Sequence, residues 1–156
     1  MAKTLIRRAA AADFPVLLEI DEGSFPAGVA YDSLELSYFM RRKGAETIVL
    51  ENDGAIAAFL IMEVHRNTNA ATIVTLDVRK DHRRRGFASR LLAQSEEILA
   101  EHSIETYDLQ VDVGNIAAIA FYKKHGFDPV RVLRNYYSNG NDAYLMVKKL
   151  RSSGRK

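Results

Sequence analysis

An amphipathic helix follows three β-branched strands with only a short basic segment between them, and that junction constrains the chain most. Thr47 to Glu51, Ala55 to Val64 and Ala71 to Val78 read as strands. The hairpin turn Asn52-Asp53-Gly54 and a second turn at Asn67 to Asn69 separate them. Phe87 to His102 then switches to helical spacing, with Phe87, Leu91, Leu92, Ser95, Ile98 and Leu99 on one face. A helix with one apolar face, placed directly after a run of strands, is expected to bury that face on their sheet.

The rest of the chain extends this pattern. Leu5 to Arg8 reads as a first strand. Ala12 to Glu22 has helical spacing, with Val16, Leu17 and Ile20 aligned and Asp13 placed as N-cap. Ser24 to Val29 is a loop. Asp32 or Ser33 caps a second helix to Lys43, with Leu34, Leu36, Phe39 and Met40 partly buried and Gly44 as its stop. Thr106 to Val111 is a strand, and Asn115 caps a short helix that ends at His125, before Gly126. Phe127 to Leu133 and Ala143 to Lys149 are strands joined by the turn Ser138-Asn139-Gly140-Asn141. The predicted class is α/β (α+β): a mixed, mostly antiparallel sheet of seven strands with helices on its faces. With 156 residues, one domain over 1–150 is expected, and the polar tail 151–156 is expected to fray.

Composition excludes several function classes. There is no cysteine, hence no disulfide framework, thiol nucleophile or thiolate metal site. His65, His82, His102 and His125 lack metal-ligand spacing, so no metal is expected. A net charge of +2 is small for a general nucleic-acid binder. Neither a signal peptide nor a membrane-length apolar run is visible, so a cytoplasmic protein without membrane contact is expected.

The positive charge is concentrated: Arg79, Lys80, Arg83, Arg84 and Arg85 place five cations within seven residues. They precede a helix N-terminus, whose free N–H groups and dipole favour an anion. Gly86 and the small Ala88 let a ligand approach that backbone. The segment reads as a pyrophosphate cradle or as a solvated basic turn. It is neither a Walker A loop nor a dinucleotide fingerprint, because both glycine patterns are absent. Downstream, Asn115 and Tyr122 lie seven positions apart, close to two helical turns, and so share a face. Asn115 reads as a cap that also reaches a ligand; Tyr122 has an alternative reading as an amphipathic residue at the core's edge.

Arg83-x-x-Gly86-x-Ala88 resembles the Gln/Arg-x-x-Gly-x-Gly/Ala acetyl-CoA signature of the GNAT superfamily of N-acetyltransferases. Asn115-x-x-Ala118-x-x-Phe121-Tyr122-x-x-x-Gly126-Phe127 resembles that superfamily's later motif, and the element order is similar along nearly the whole chain. The resemblance implies a splay between the fourth and fifth strands, those ending at Val78 and Val111, where acetyl-CoA inserts. It implies main-chain contacts to the pantetheine arm and acetyl oxygen around Leu76, Asp77 and Val78. Arg83, Arg84, Arg85, Gly86, Phe87, Ala88 and Ser89 would hold the pyrophosphate end. Asn115 would bond the pantetheine arm, and Tyr122 would be the general acid.

Arg134 to Met146 resembles the Tyr-Tyr … Gly-x-Asp-Ala … Met hairpin of protein N-terminal acetyltransferases, including the ribosomal-protein-alanine enzymes. Tyr136 and Tyr137 would then hold the first residues of a substrate, with Phe25 and Pro26 on the opposite wall. A common hairpin with surface tyrosines is the alternative. Gln110 stands where such enzymes commonly carry a Glu or His base, and Gln accepts no proton at neutral pH. Asp77 or Glu63 takes the role, or a water chain does, or no strong base is needed. Ser89 shows no evident His/Asp partner, which argues against a nucleophilic serine. The leading reading is acetylation of a protein N-terminus such as that of a ribosomal protein. A small amine is the second reading, and a non-catalytic RNA- or ribosome-binding module a remote third. A homodimer is left open.

Overall fold

The computed structural model describes residues 3–150, so the tail 151–156 and the first two residues lie outside the described residues. The elements run β1 (Thr4–Arg8), α1 (Phe14–Ser24), α2 (Ser33–Arg41), β2 (Ala45–Asn52), β3 (Ala55–His65), β4 (Ala70–Val78), α3 (Phe87–Glu101), β5 (Thr106–Asp112), α4 (Ile116–Lys124), β6 (Asp128–Leu133) and β7 (Ala143–Lys149). They form one seven-stranded sheet in the order β1-β2-β3-β4-β5-β7-β6. All neighbours are antiparallel except β4 and β5.

Local chemistry accounts for most boundaries. Asp53 and Gly54, at φ 53° and 87°, turn β2 into β3. Asp32 and Glu35 form a reciprocal capping box at α2: the Asp32 carboxylate accepts from Glu35 N–H at 2.8 Å, and the Glu35 carboxylate accepts from Asp32 N–H at 3.0 Å. Two expectations need correction. Asp13 does not cap α1 through its side chain. A 3-10 turn, Ala11–Asp13, precedes that helix, and the Asp13 carboxylate accepts instead from Ala10 N–H at 2.7 Å and from Arg7 Nη1 at 2.8 Å. On α2, Leu34 is 81% exposed and the helix stops at Arg41, so the apolar face is narrower than the spacing suggests.

The sheet is covered on both faces. Phe87, Leu91, Leu92 and Leu99 of α3, with Tyr122 of α4, pack on one side against residues such as Leu60, Ile73, Tyr107 and Leu109. Leu17 and Ile20 of α1, with Leu36 of α2, pack on the other against Val49, Phe59 and Ile61.

Two irregularities open the middle of the sheet. First, β4 and β5 pair only from Ala70–Thr106 to Ile73–Leu109, although both strands continue. Beyond Ile73 they splay. Second, the β3–β4 register steps from Met62–Ile73 to Ile61–Thr75, leaving Val74 as an extra residue. The bulge changes which side chains face where. Ile73 packs with the α3 cluster, as do Leu76 and Val78, while Val74 packs with the α1 cluster and Thr75 and Asp77 reach the α1 residue Asp21.

Candidate functional site at the splay

A cleft of about 670 Å³ runs through the splay, within the range that holds cofactor-sized ligands. Its floor and one wall come from β4 and the segment after it: Leu76, Asp77, Val78, Arg83, Arg84, Gly86, Phe87, Ala88 and Ser89. Gln110, Asn115 and Tyr122 line the facing wall. Phe25, Tyr136 and Tyr137 close one end. Two expected residues lie elsewhere: Arg85 and Pro26 are not in the lining. The cleft also collects residues that the sequence did not single out, notably Tyr31, His82 and Asp112. These come from loops or strand ends and carry no spacing signal of their own.

The loop before α3 is shaped for an anion. Gly86 takes φ +78° at the N-cap, and apart from its chain neighbours no protein atom lies within 4 Å of the place where a Cβ would stand. The first N–H groups of α3 are therefore open to a ligand. Arg83 Nε donates to the Val78 carbonyl at 3.2 Å, which folds the basic segment back over the end of β4. Arg79 is used structurally: its Nε donates to the Ile56 carbonyl at 2.8 Å and its Nη1 to Glu19 at 3.2 Å. At α4, the Asn115 side chain accepts from Ala118 N–H at 3.2 Å, so it caps the helix while lining the cleft.

Tyr122 stands in an aromatic corner, its ring 5.2 Å from Phe121 and 5.5 Å from Phe127, both edge-on. It is 8% exposed. Burial first, then the nearby charges of Asp77 and Tyr137, pushes its phenol pKa up, so the hydroxyl keeps its proton at any physiological pH.

The statement that Ser89 has no histidine partner is corrected. Ser89, in the first turn of α3, has its Oγ 3.0 Å from Nε2 of His125, the residue that ends α4. Burial, followed by Lys124 and Lys148, lowers the His125 pKa and favours its neutral form. Of the two carboxylates considered as bases, Glu63 is outside the cleft and ion-paired with Arg42 at 2.8 Å. Asp77 lines the cleft.

The far end of the cleft is built by two loops that grip each other. Ser138 Oγ donates to the Gly28 carbonyl at 3.1 Å, and Asn139 Nδ2 to the Ala27 carbonyl at 3.4 Å. A Cβ on Gly28, at φ +86°, would stand 2.7 Å from Asn139 Cβ, so the contact requires glycine there. Asn141 Nδ2 donates to Asp112 Oδ2 at 2.9 Å, fixing the same hairpin to the end of β5. Tyr136 and Tyr137 pack edge to face, 4.9 Å between ring centres, at that junction. The Tyr31 hydroxyl donates to the Val74 carbonyl at the bulge, 3.3 Å away.

Among the described residues no helix is long and apolar enough to cross a membrane, and no group of three or more His, Asp or Glu side chains could hold a metal ion.

Comparison with known proteins agrees with this architecture. An N-alpha-acetyltransferase of Sulfurisphaera tokodaii is 30% identical over 93% of this chain and 92% of its own. A putative ribosomal protein bS18-alanine N-acetyltransferase of Bacillus subtilis is 28% identical over 92% of this chain and 94% of its own. The crystal structure of the ribosomal-protein-S18-alanine N-acetyltransferase from Escherichia coli superposes with a TM-score of 0.86, at 25% identity, covering 99% of this chain and 98% of that one. The model of the acetyltransferase (GNAT) family matches residues 8–127, from the end of β1 to the start of the last hairpin and across both walls of the cleft. The chain belongs to the GNAT family and is an acetyl-CoA-dependent N-acetyltransferase.

Proposed function

We propose that the protein acetylates the N-terminal α-amine of a protein, such as a ribosomal protein. One observation carries this reading: the cleft passes through the sheet. On the α3–α4 face it meets the anion cradle and Tyr122. On the α1–α2 face it ends at the clasped loops bearing Phe25, Tyr31, Tyr136 and Tyr137. That shape suits a donor entering from one side and an extended peptide N-terminus from the other. The names of the Sulfurisphaera and Bacillus relatives support the same substrate class.

The residues fit acetyl-CoA. Past Ile73 the splay-side edge of β4 has no strand partner. The Val74 and Val78 carbonyls accept from Tyr31 and Arg83, and the groups between them can meet a pantetheine amide. Gly86 leaves the α3 N-terminus open to the pyrophosphate, with Arg83 and Arg84 adding charge, while Asn115 meets the pantetheine arm. When bound, acetyl-CoA supplies the activated acetyl thioester. The chain's own part is positioning: β4 main-chain donors orient the carbonyl, Tyr122 supplies a proton to the leaving sulfur, and the acceptor end aligns the amine.

The acceptor class has a direct test. A peptide α-amine, with a pKa of ~7.7–8.0, is roughly one-tenth neutral near pH 7, whereas a lysine ε-amine at ~10.4 is neutral in about one molecule per few thousand. Peptides with a free N-terminus and an internal lysine, incubated with acetyl-CoA and sequenced by mass spectrometry, should carry the acetyl group on the α-amine by about 10²-fold or more. Equal labelling of both sites, or labelling of small amines alone, removes this reading.

The cradle has its own test. In Gly86→Val, a β-branched residue is forced to φ +78° and its Cβ stands where the anion approaches. Left-handed backbone costs an ordinary residue about 1–2 kcal/mol, so the free variant relaxes out of it and binding has to restore it, and acetyl-CoA affinity should fall about tenfold by calorimetry. Unchanged affinity would mean that the pyrophosphate sits elsewhere.

A further inference from the structure

The acceptor side of the splay holds a buried carboxyl pair. The bulge at Val74 turns Thr75 and Asp77 of β4 toward α1, where Asp21 lies. Asp21 is 0% and Asp77 1% exposed. The Thr75 hydroxyl lies 2.5 Å from Asp77 Oδ1 and 3.4 Å from Asp21 Oδ1. It has one proton to donate, so a second hydrogen bond among these oxygens requires a proton on a carboxyl. Asp21 is otherwise occupied: its Oδ2 accepts from Tyr31 N–H at 2.8 Å. Asp77 Oδ2, by contrast, is buried with no hydrogen-bond partner among the described residues, although Asp77 lines the cleft. An unpaired buried carboxyl oxygen costs stability and is kept where something else bonds to it.

We propose that Asp77 is the proton acceptor for the incoming amine, reached directly or through one water, and that Asp21 and Thr75 are positioning residues that tune it. The proposal rests on the N-terminal acetylation reading for the acceptor but not for the geometry. Asp77 lies beside Asp21 on the α1 side, and Gln110 alternates with Leu109 and Val111 of the α3 cluster, so both line the cleft from that side across the splay and the base that β5 lacks is carried by β4. Tyr122 works from the opposite face.

The groups around Asp77 all bear on its proton. Burial raises its affinity first, then the neighbouring Asp21 carboxyl; Thr75 and, more distantly, Arg83 oppose them. Tyr31 and Tyr122 complete the surroundings and stay neutral, both pushed up chiefly by burial. A carboxyl lifted above its ordinary range moves toward the proton affinity of an amine, the direction in which a base for that amine becomes effective.

The reaction then balances. An acceptor ammonium gives one proton to Asp77, which becomes a neutral acid. The nitrogen lone pair forms the C–N bond to the acetyl carbonyl carbon as the C–S bond breaks, its electron pair staying on sulfur. Tyr122 gives its hydroxyl proton to that sulfur and regains one, through water, from the acylated nitrogen. Asp77 later releases its proton to solvent. The order matters: the negative charge of Asp77 hinders ionisation of Tyr122, so neutralising it first eases the proton transfer to sulfur.

The test is the pH dependence of Asp77→Asn, an isosteric change that keeps polarity and removes the base. Acetyl transfer is followed by thiol release from acetyl-CoA, using whichever amine of a peptide and small-amine panel the wild type turns over fastest. Without a base the variant depends on amine that is already neutral, which at about pH 6.5 is ~20- to 30-fold scarcer than near pH 9.5 for a pKa of ~7.7–8.0. The wild-type to variant ratio of kcat/KM should therefore grow about 20- to 30-fold between those pH values. A flat ratio overturns the proposal, as does an equal loss at all pH with weakened acetyl-CoA binding. If the fastest acceptor is a small amine and the ratio still grows, the acceptor reading fails while the role of Asp77 stands.

Two readouts need no turnover. The Asp77 carboxyl carbon, followed by NMR in the free protein, should titrate above the ordinary carboxylate range; titration within that range overturns the proposal. A raised folded-state pKa means the folded protein binds more protons than the unfolded chain between an unfolded value of ~3.9 and the raised value, so Asp77 lowers stability as pH rises through that window. Asp77→Asn should thus raise Tm by a few degrees at alkaline pH and leave it nearly unchanged near pH 4. A Tm lowered at every pH would assign Asp77 to structure and overturn the proposal.

Discussion

Tyr122→Phe is expected to reduce turnover by about 10²- to 10⁴-fold, the usual contribution of a positioned general acid, with acetyl-CoA affinity changed by no more than about threefold. The substitution removes one oxygen and keeps the ring. The aromatic corner of Phe121, Tyr122 and Phe127, with ring centres 5.2 and 5.5 Å apart, therefore stays packed. What is lost is the only hydroxyl proton that α4 presents to the cleft among the described residues. The departing thiolate, whose conjugate acid lies at ~8–9, then has to leave unprotonated or find water. Single-turnover thiol release, with affinity measured separately by calorimetry, separates the two effects. Equal losses in affinity and turnover would make Tyr122 a binding residue, and unchanged turnover would remove it from the chemistry.

Phe127→Ala is expected to be the most damaging single truncation behind the site. Phe127 is 0% exposed and lies 5.8 Å from the Tyr107 ring and 5.5 Å from that of Tyr122. The Lys148 ammonium stands 5.9 Å from its ring centre. Deleting a fully buried phenyl group costs about 3–5 kcal/mol, from lost burial and the cavity left behind. At about 2–4 °C per kcal/mol, Tm should fall by roughly 6–20 °C. The loss also carries a functional mark, because the cavity opens beside Tyr122. Turnover measured well below the new Tm should fall too, unlike that of a truncation on the far face such as Leu17→Ala, which touches only the α1 cluster. A Tm shift under about 2 °C would show that the corner refills itself.

The fold was largely legible because its signals are local. The Asn52-Asp53-Gly54 turn, the cap at Asp32, one of the two residues the spacing offered, and the Asn115 cap each act within four residues. The apolar face of α3 was also readable, since five of its six expected residues are buried and Ile98 packs against the same core. The readings that went astray needed more distant information. Asp13 looks like a cap until Arg7 and the Ala10 N–H claim its carboxylate. Leu34 fits the helical period but finds no neighbouring element to cover it. Ser89 stands alone in its own segment until the end of α4 brings His125 to it from 36 positions away.

For the site, the division follows the two faces of the sheet. The sequence by itself determined the elements of the proposed donor side: a strand, a basic loop, a glycine at the helix N-terminus, and Asn115 and Tyr122 on one helical face. These are spacings within single elements, and backbone geometry dictates where they point. Only the tertiary structure decided the acceptor side. The clasp between Gly28 and Ser138 joins residues 110 positions apart, and β7 enters between β5 and β6 to carry the hairpin there. The bulge at Val74 reverses the alternation of β4 and turns Asp77 toward Asp21, 56 positions earlier in the chain. A one-residue slip between paired strands exchanges the two faces of everything beyond it, and such a slip leaves no mark in periodicity. The junction of strands and helix from Thr47 to His102 thus marks the proposed acetyl-CoA site, while the step in register within it sets which β4 carboxyl lines the cleft.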